Sequence, residues 1–237
     1  MNLTRQRGAL AGLAAAGLLL SGCGSSLGIH PGAAVVVGDQ SVAMSKVDKT
    51  SVLFCKVYVT QSQSQASSSQ SGPIPMGSFR SYAASSLAKR ALGSQLAEKY
   101  DVSPASGYQQ QVSQYQAALA SSPADQRDAA IEVAGADAYL QNVEVAIGQK
   151  LTGQNDTTNA ALKAALQRGE VVATEWFADH KAYVNPVYGL AVDDGKFTTA
   201  KDQTSYPLSA LASAGAQTTA APDDSYTSAL SASQLCE

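Results

Sequence analysis

The chain has 237 residues, room for one domain or at most two small ones. Hydrophobic residues make up 45%, but 42 of the residues are Ala, so the interior has to be built from thin side chains, which favours close-packed helices over a sheet sandwich. With 15% charged residues and a formal net charge of -3 there is no basic surface for a phosphate backbone, which excludes nucleic-acid binding as a partner class, and two His and three Cys leave little material for a metal site or a bound cofactor.

Arg5 and Arg7 form a short positive n-region, followed by an uncharged apolar run from Gly8 to Leu20. That run is short for a bilayer span and suits a signal-peptide core. It leads straight into Leu20-Ser21-Gly22-Cys23, small residues before a Cys, which resembles the bacterial lipobox. In such a motif the Cys thiol is acylated and the bond before it is cut; the alternative is an ordinary secretory signal in which Cys23 is incidental. The expectation is a signal peptide over 1–22, a lipid attached at Cys23, and a flexible tether over 23–31 rich in Gly and Ser. Acyl chains on Cys23 would hold the protein to a membrane, on the outer face of the cell membrane in the cell envelope, without a spanning helix. Cleavage would also remove both Arg and leave the mature chain two charges more negative. Outside the cytosol the remaining thiols can oxidise.

Those remaining thiols are Cys55 and Cys236. An even pair in an oxidising compartment reads most simply as a disulfide. The rival is a free thiol, for which Lys56 is the one neighbouring cation.

The β-branched run Ala33 to Val37, a Gly38-Asp39 turn and Gln40 to Ala43 predict a small hairpin. Ser45 fits an N-cap, and Val47, Thr50, Phe54 and Val57 predict a first helix to about Thr60. Residues 61–75, rich in Gln and Ser and ending in Pro73 and Pro75, predict a disordered insertion. A second helix from about Ser78 to Tyr100 carries Phe79, Ala83, Leu87, Ala91 and Leu96 on one face, with Gly93 inside it at some cost. Ser103-Pro104 and Ser122-Pro123 read as N-caps followed by Pro at the first helical position, opening a helix with Val112, Tyr115 and Leu119 and then one long helix to about Leu151. In that long helix Ala134, Gly135, Ala136 and Ala138 offer a smooth face for a neighbour. Asp156-Thr157 opens the last long helix, where Leu162, Ala165, Gly169, Val172, Trp176 and Tyr183 recur at near-heptad spacing and predict a partner helix. Asn185-Pro186 ends it. Val187 to Val192, a Gly195 turn and Lys196 to Thr198 predict a second hairpin, expected to pair with Ala33 to Val37. From about Lys201 to Cys236 the chain reads as an Ala/Ser-rich, extended or partly helical tail.

This order of elements, with Gly32-Ala33-Ala34-Val35-Val36-Val37-Gly38-Asp39-Gln40-Ser41-Val42-Ala43 before the first helix and Val184-Asn185-Pro186-Val187-Tyr188-Gly189 after the last, resembles the SurA N-terminal-like and PrsA-like periplasmic folding factors. The likeness spans residues 32–200. It implies a mainly α fold: a helical domain of about five helices with a small β element formed by the segments before the first and after the last long helix. It also implies binding of unfolded or nascent envelope polypeptides. The parvulin-type isomerase domain that usually accompanies such a module has no counterpart here, so the resemblance implies the chaperone-like part without catalysis. A divergent peptidyl-prolyl isomerase and an accessory lipoprotein with one dedicated envelope partner are the alternatives.

Phe79, Tyr82, Tyr139 and Trp176 are the large side chains that could contact a client, although aromatics at helical spacing also serve as core. Glu175, Asp179 and His180 cluster in sequence, but further ligands at metal-site spacing are missing, and a solvated helix face accounts for them. With no Gly-x-Ser-x-Gly elbow, no residue is assigned as catalytic.

Overall fold

The computed structural model describes residues 30–64, 73–180, 182–193, 196–200, 209–217 and 224–237. The expected signal peptide, Cys23 and most of the expected tether fall outside the described residues, as do parts of the expected 61–75 insertion and of the tail. From Gly32 onward the chain forms one unit, mainly helical, with small antiparallel sheets.

Strand β1 (Ala33–Val37) turns back through Gly38 into β2 (Gln40–Ala43), pairing Val37 with Gln40 and Val36 with Ser41. Gly38 is needed twice over. Its φ of +54° suits the first position of a tight hairpin turn, and a Cβ there would sit 2.9 Å from Trp176 Cη2. Ala34, Val35 and Val37 are buried, the reason for the unbroken apolar run.

Helix α1 (Met44–Ser64) follows β2 without a break, so Ser45 lies within the helix rather than capping it, and the helix runs four residues past Thr60. The insertion is correspondingly narrower than expected, because Ile74–Pro75 also forms a short strand, β3. Helix α2 (Met76–Lys99) comes next, and its predicted face is buried: Phe79, Ala83, Leu87, Ala91 and Leu96. With Ala83, Ala84 and Ala88 fully covered, α2 packs closely against α1, α4 and α5 and forms the centre of the domain.

Helix α3 (Ser106–Ala118) has Ala105 at its N-cap, and α4 (Ala124–Ala134) has Pro123, each without a side-chain cap, so neither Ser103 nor Ser122 caps. The expected long helix to Leu151 is two helices. Gly135, at ψ 0°, ends α4 and starts α5 (Ala136–Thr152), while its N–H still donates to Ile131 O at 3.0 Å and its carbonyl accepts from Tyr139 N at 2.9 Å. The small residues around this break, Gly135, Ala136 and Ala138, are buried against the neighbouring helices. Helix α6 (Asn159–Asp179) begins two residues after the expected start: Thr158 caps it by accepting from Ala161 N, and the Asp156 carboxylate accepts from Thr158 N at 2.9 Å.

The partner that near-heptad spacing predicted for α6 is α5. Two glycines set the approach: a Cβ on Gly148 would lie 1.9 Å from Ala165 O, and one on Gly169 would lie 2.0 Å from Glu144 O. Each glycine faces the other helix's main chain, so the two backbones are in contact.

Helix α6 stops at Asp179, short of the expected end at Asn185-Pro186, and Tyr183 lies not on its stripe but in β4 (Ala182–Val184), which pairs antiparallel with β1 and gives a three-stranded sheet in the order β2-β1-β4. The small β element thus joins the segments before the first and after the last long helix. Its last strand differs from the one expected. Val187 belongs to a 3-10 turn (Pro186–Tyr188), and β5 (Leu190–Asp193) pairs only with β6 (Lys196–Thr199) as a separate hairpin among the described residues. Asn185 explains the switch. Its N–H donates to Ala34 O at 2.8 Å, its side chain accepts from Val187 N at 3.1 Å, and the chain then turns away from β1.

The tail returns to the domain. Helices α7 (Ala210–Gln217) and α8 (Asp224–Ser228) precede β7 (Leu235–Cys236), which pairs with β3. Cys236 forms the disulfide with Cys55 of α1. Around it Met76 and Phe79 are buried, with Phe54, Tyr58 and Ile74 packed against them.

Candidate functional site

Among the described residues β2 is an edge strand, paired with β1 on one side only. Beside it lies a hollow of about 510 Å³ whose walls include Lys46 of α1, Leu87 and Arg90 of α2, Glu132 of α4 and Tyr139 of α5, with Gln40 to Ala43 along one border. A second hollow of about 520 Å³ continues between α1 and α4. Lys46, Arg90 and Glu132 line both, and the Lys46–Glu132 ion pair, 2.7 Å long, stands where they meet. The second hollow balances Lys46, Lys49 and Arg90 against Asp125, Asp128 and Glu132 over a floor that includes Leu53 and Ile131. Mixed charge of this kind favours neither a polyanion nor a polycation.

Tyr139 is held firmly at this border. Its ring rests on Gly93, where a Cβ would come within 2.9 Å, so the glycine that looked costly in α2 makes room for an aromatic ring. The Arg90 guanidinium lies 4.6 Å from the Tyr139 centroid, and Tyr108 meets the same ring edge-on at 5.2 Å while accepting a hydrogen bond from Arg90 at 2.9 Å.

The other sequence candidates do not gather here. Phe79 is 6% exposed and packs beside the disulfide, 5.8 Å from Phe54 and 5.5 Å from Tyr58. Tyr82, 45% exposed, stacks near Phe54 on the same side of α2, so these two are neighbours and only Tyr82 reaches the surface. Trp176, 4% exposed, fills the core under Gly38. His180 lies flat against it, ring centroids 4.0 Å apart, with Nδ1 2.8 Å from Trp176 O. Imidazole and indole therefore form one stacked pair at the end of α6. Among the described residues no three His, Cys, Asp or Glu side chains are placed to hold a metal ion, and no described helix is long and apolar enough to cross a membrane.

A second cleft, of about 700 Å³, opens between α2, α5, α6 and β6. Glu144 borders it, and burial first, then the charge of Glu170, push its carboxyl up to about 7, with Lys196 pulling partly the other way. Sequence reading passed over this residue. The available signal was its position, four after Leu140 and three before Ile147, which sets a carboxylate beside a buried helical stripe.

Compared with protein-family models, with curated proteins and with solved structures, the chain matches none.

Proposed function

We propose that the chain is a lipid-anchored cell-envelope protein whose helical domain holds unfolded or extended polypeptide by adding it as a strand to the open edge of β2, without catalysis. The observation that carries this reading is the one-sided pairing of β2 beside a hollow bordered by Leu87, Arg90 and Tyr139. An edge strand offers main-chain donors and acceptors to any extended segment, so recognition is largely independent of client sequence. Four residues of strand span roughly 13 Å, which suits brief capture rather than permanent binding. Leu87 and Tyr139 supply apolar contact for alternate client side chains, and the charged second hollow supplies a wet continuation.

The order of elements supports the likeness to SurA N-terminal-like modules: a strand, a Gly38-Asp39 turn and a second strand before the first long helix, and a strand after the last long helix that returns to the first. The lipobox reading of Cys23 supplies the anchor, and residues 24–31 the reach. Two measurements test the proposal. At equimolar ratio the protein should slow aggregation of an unfolded test client, and the amide resonances of Gln40 to Ala43 should shift as the client is added. Unchanged aggregation with unmoved β2 resonances overturns it. In cells, crosslinks from the β2 border should reach many envelope proteins; one dominant partner would instead make this an accessory subunit. Cys23→Ala should abolish both the acyl mass and the cut before residue 23, so that intact mass shows the unprocessed chain; an unchanged mass pattern apart from the substitution overturns the anchor.

A further inference from the structure

The cleft between α2, α5, α6 and β6 plays no part in strand addition at β2, and it contains a buried carboxylate that no hydrogen bond or ion pair reaches among the described residues. Glu144 is 9% exposed, borders the cavity, and makes no hydrogen bond or ion pair among the described residues. A carboxylate in that position carries a desolvation cost that an opposite charge, a hydrogen-bond donor or a proton offsets.

The charged groups facing it come from three elements: Lys89 of α2, Glu170 and Glu175 of α6, and Lys196 of β6. Lys89 is held by Asp137, leaving Lys196 as the one cation in the cleft without an ion pair among the described residues, against three carboxylates. The rest of the wall is mostly apolar, with Leu140, Phe197 and Val171, which is unusually exposed for a valine, but it also includes Gln167 and Thr174, whose side-chain oxygens are further acceptors for a cation. Net negative charge over apolar walls fits an organic cation better than a hydrated metal ion. The volume is within the range of small-molecule pockets.

We propose that this cleft binds a primary ammonium group carried on an alkyl stem, with Glu144 as its charge partner, Glu170 as second acceptor, and Leu140, Val171 and Phe197 around the stem. Two sources share that chemistry, a free alkylamine and a lysine side chain of a polypeptide. The proposal stands without the β2 reading, since the two sites share no lining residue.

Binding requires Glu144 ionised. Because its carboxyl titrates near 7, the ionised share rises from about a tenth at pH 6 to about nine-tenths at pH 8. The test titrates the full chain with n-butylamine, with n-butanol as the neutral isostere and with Nα-acetyl-lysine methylamide, following side-chain carboxyl carbon resonances. Butylamine should saturate, bind about tenfold more tightly at pH 8 than at pH 6, and move the Glu144 resonance. Glu144→Gln should abolish that pH dependence and weaken binding at least about tenfold, which is the loss of one charge-assisted hydrogen bond. Binding of the blocked lysine identifies a polypeptide side chain as the source; binding of butylamine alone identifies a free amine. Equal response to butanol, no saturation, or unchanged affinity in Glu144→Gln overturns the proposal. Should Glu144→Gln not fold, the exposed Glu170→Gln decides: it should weaken binding and move the pH profile downward, and an unchanged affinity and profile overturns the proposal.

Discussion

Glu144 also ties stability to pH. Its carboxyl titrates near 7 in the folded chain against an ordinary value of 4.5. Between those values the folded state holds a proton that the unfolded chain releases, so stability falls as pH rises, with the whole loss in place above the folded value. The size is roughly 3 kcal/mol from the cost of one pKa unit. The urea midpoint of the native protein should therefore drop between pH 5 and pH 8. Glu144→Gln, which carries no charge at either pH, should flatten that drop; a midpoint equally pH-dependent in the variant would show that another group controls it. The cause is local. The carboxyl leaves α5 beside the point where Gly169 brings α6 against the Glu144 carbonyl, so close backbone contact and side-chain burial share one origin.

At the scale of elements, the close approach of α5 and α6 at Gly169 and the open space around Gly77 in α2 give opposite forecasts for the two glycines. Gly169→Ala gains about 1 kcal/mol of helix propensity but places a methyl group 2.0 Å from a main-chain oxygen, which only separation of α5 and α6 relieves. A net loss of about 2 kcal/mol is expected in urea unfolding. Gly77→Ala, in the first turn of α2 with nothing within 4 Å of the new carbon, should instead stabilise by about 0.5 kcal/mol. If both variants behave alike, helix propensity and not helix approach governs these sites. The stripes of α2 and α6 were readable in the sequence because burial there follows the 3.6-residue period: Leu87, Ala91 and Leu96 in one, Val172 and Trp176 in the other. Helix ends were not. Ser45, Ser103 and Ser122 have the composition of caps, yet β2 runs directly into α1, and the chain enters α3 through Ala105, whose N–H is taken by Asn142 O at 3.0 Å. A short polar residue marks an available cap; tertiary contacts determine whether it is used. The break at Gly135 was hidden in the same way, since a glycine flanked by alanines reads as a helix contact and here also ends one helix and starts the next.

For the whole molecule, the disulfide decides how much chain belongs to the fold. Parity of cysteines made the Cys55–Cys236 pair legible, and such a bridge already implies that the Ala/Ser-rich tail is pinned back to the domain; what the pattern does not show is the pairing that the pin creates. A bond across 181 positions brings the last residues onto α1, and β7 then pairs with β3, giving the end of the Gln/Ser insertion a defined place. Neither Ile74–Pro75 nor Leu235–Cys236 has the length or pattern of a strand on its own; each is one because the bond holds the other beside it. In the chain-entropy account, closing a loop of this length removes about 5 kcal/mol of unfolded-state freedom, and removal of native disulfides typically costs 2–5 kcal/mol. The double variant Cys55→Ala/Cys236→Ala should lose about that much in urea unfolding. Its hydrogen exchange should also be uneven. Protection should vanish at Ile74, Leu235 and Cys236→Ala itself and weaken around Phe79, while Leu96, Val143 and Ile147, buried in the separate main core, stay protected in the folded state. The β2 border draws its walls from that main core, so client capture should survive reduction at temperatures where the variant is folded. Uniform loss of protection across both clusters would mean that the tail supports the entire domain, and capture would then fail on reduction as well.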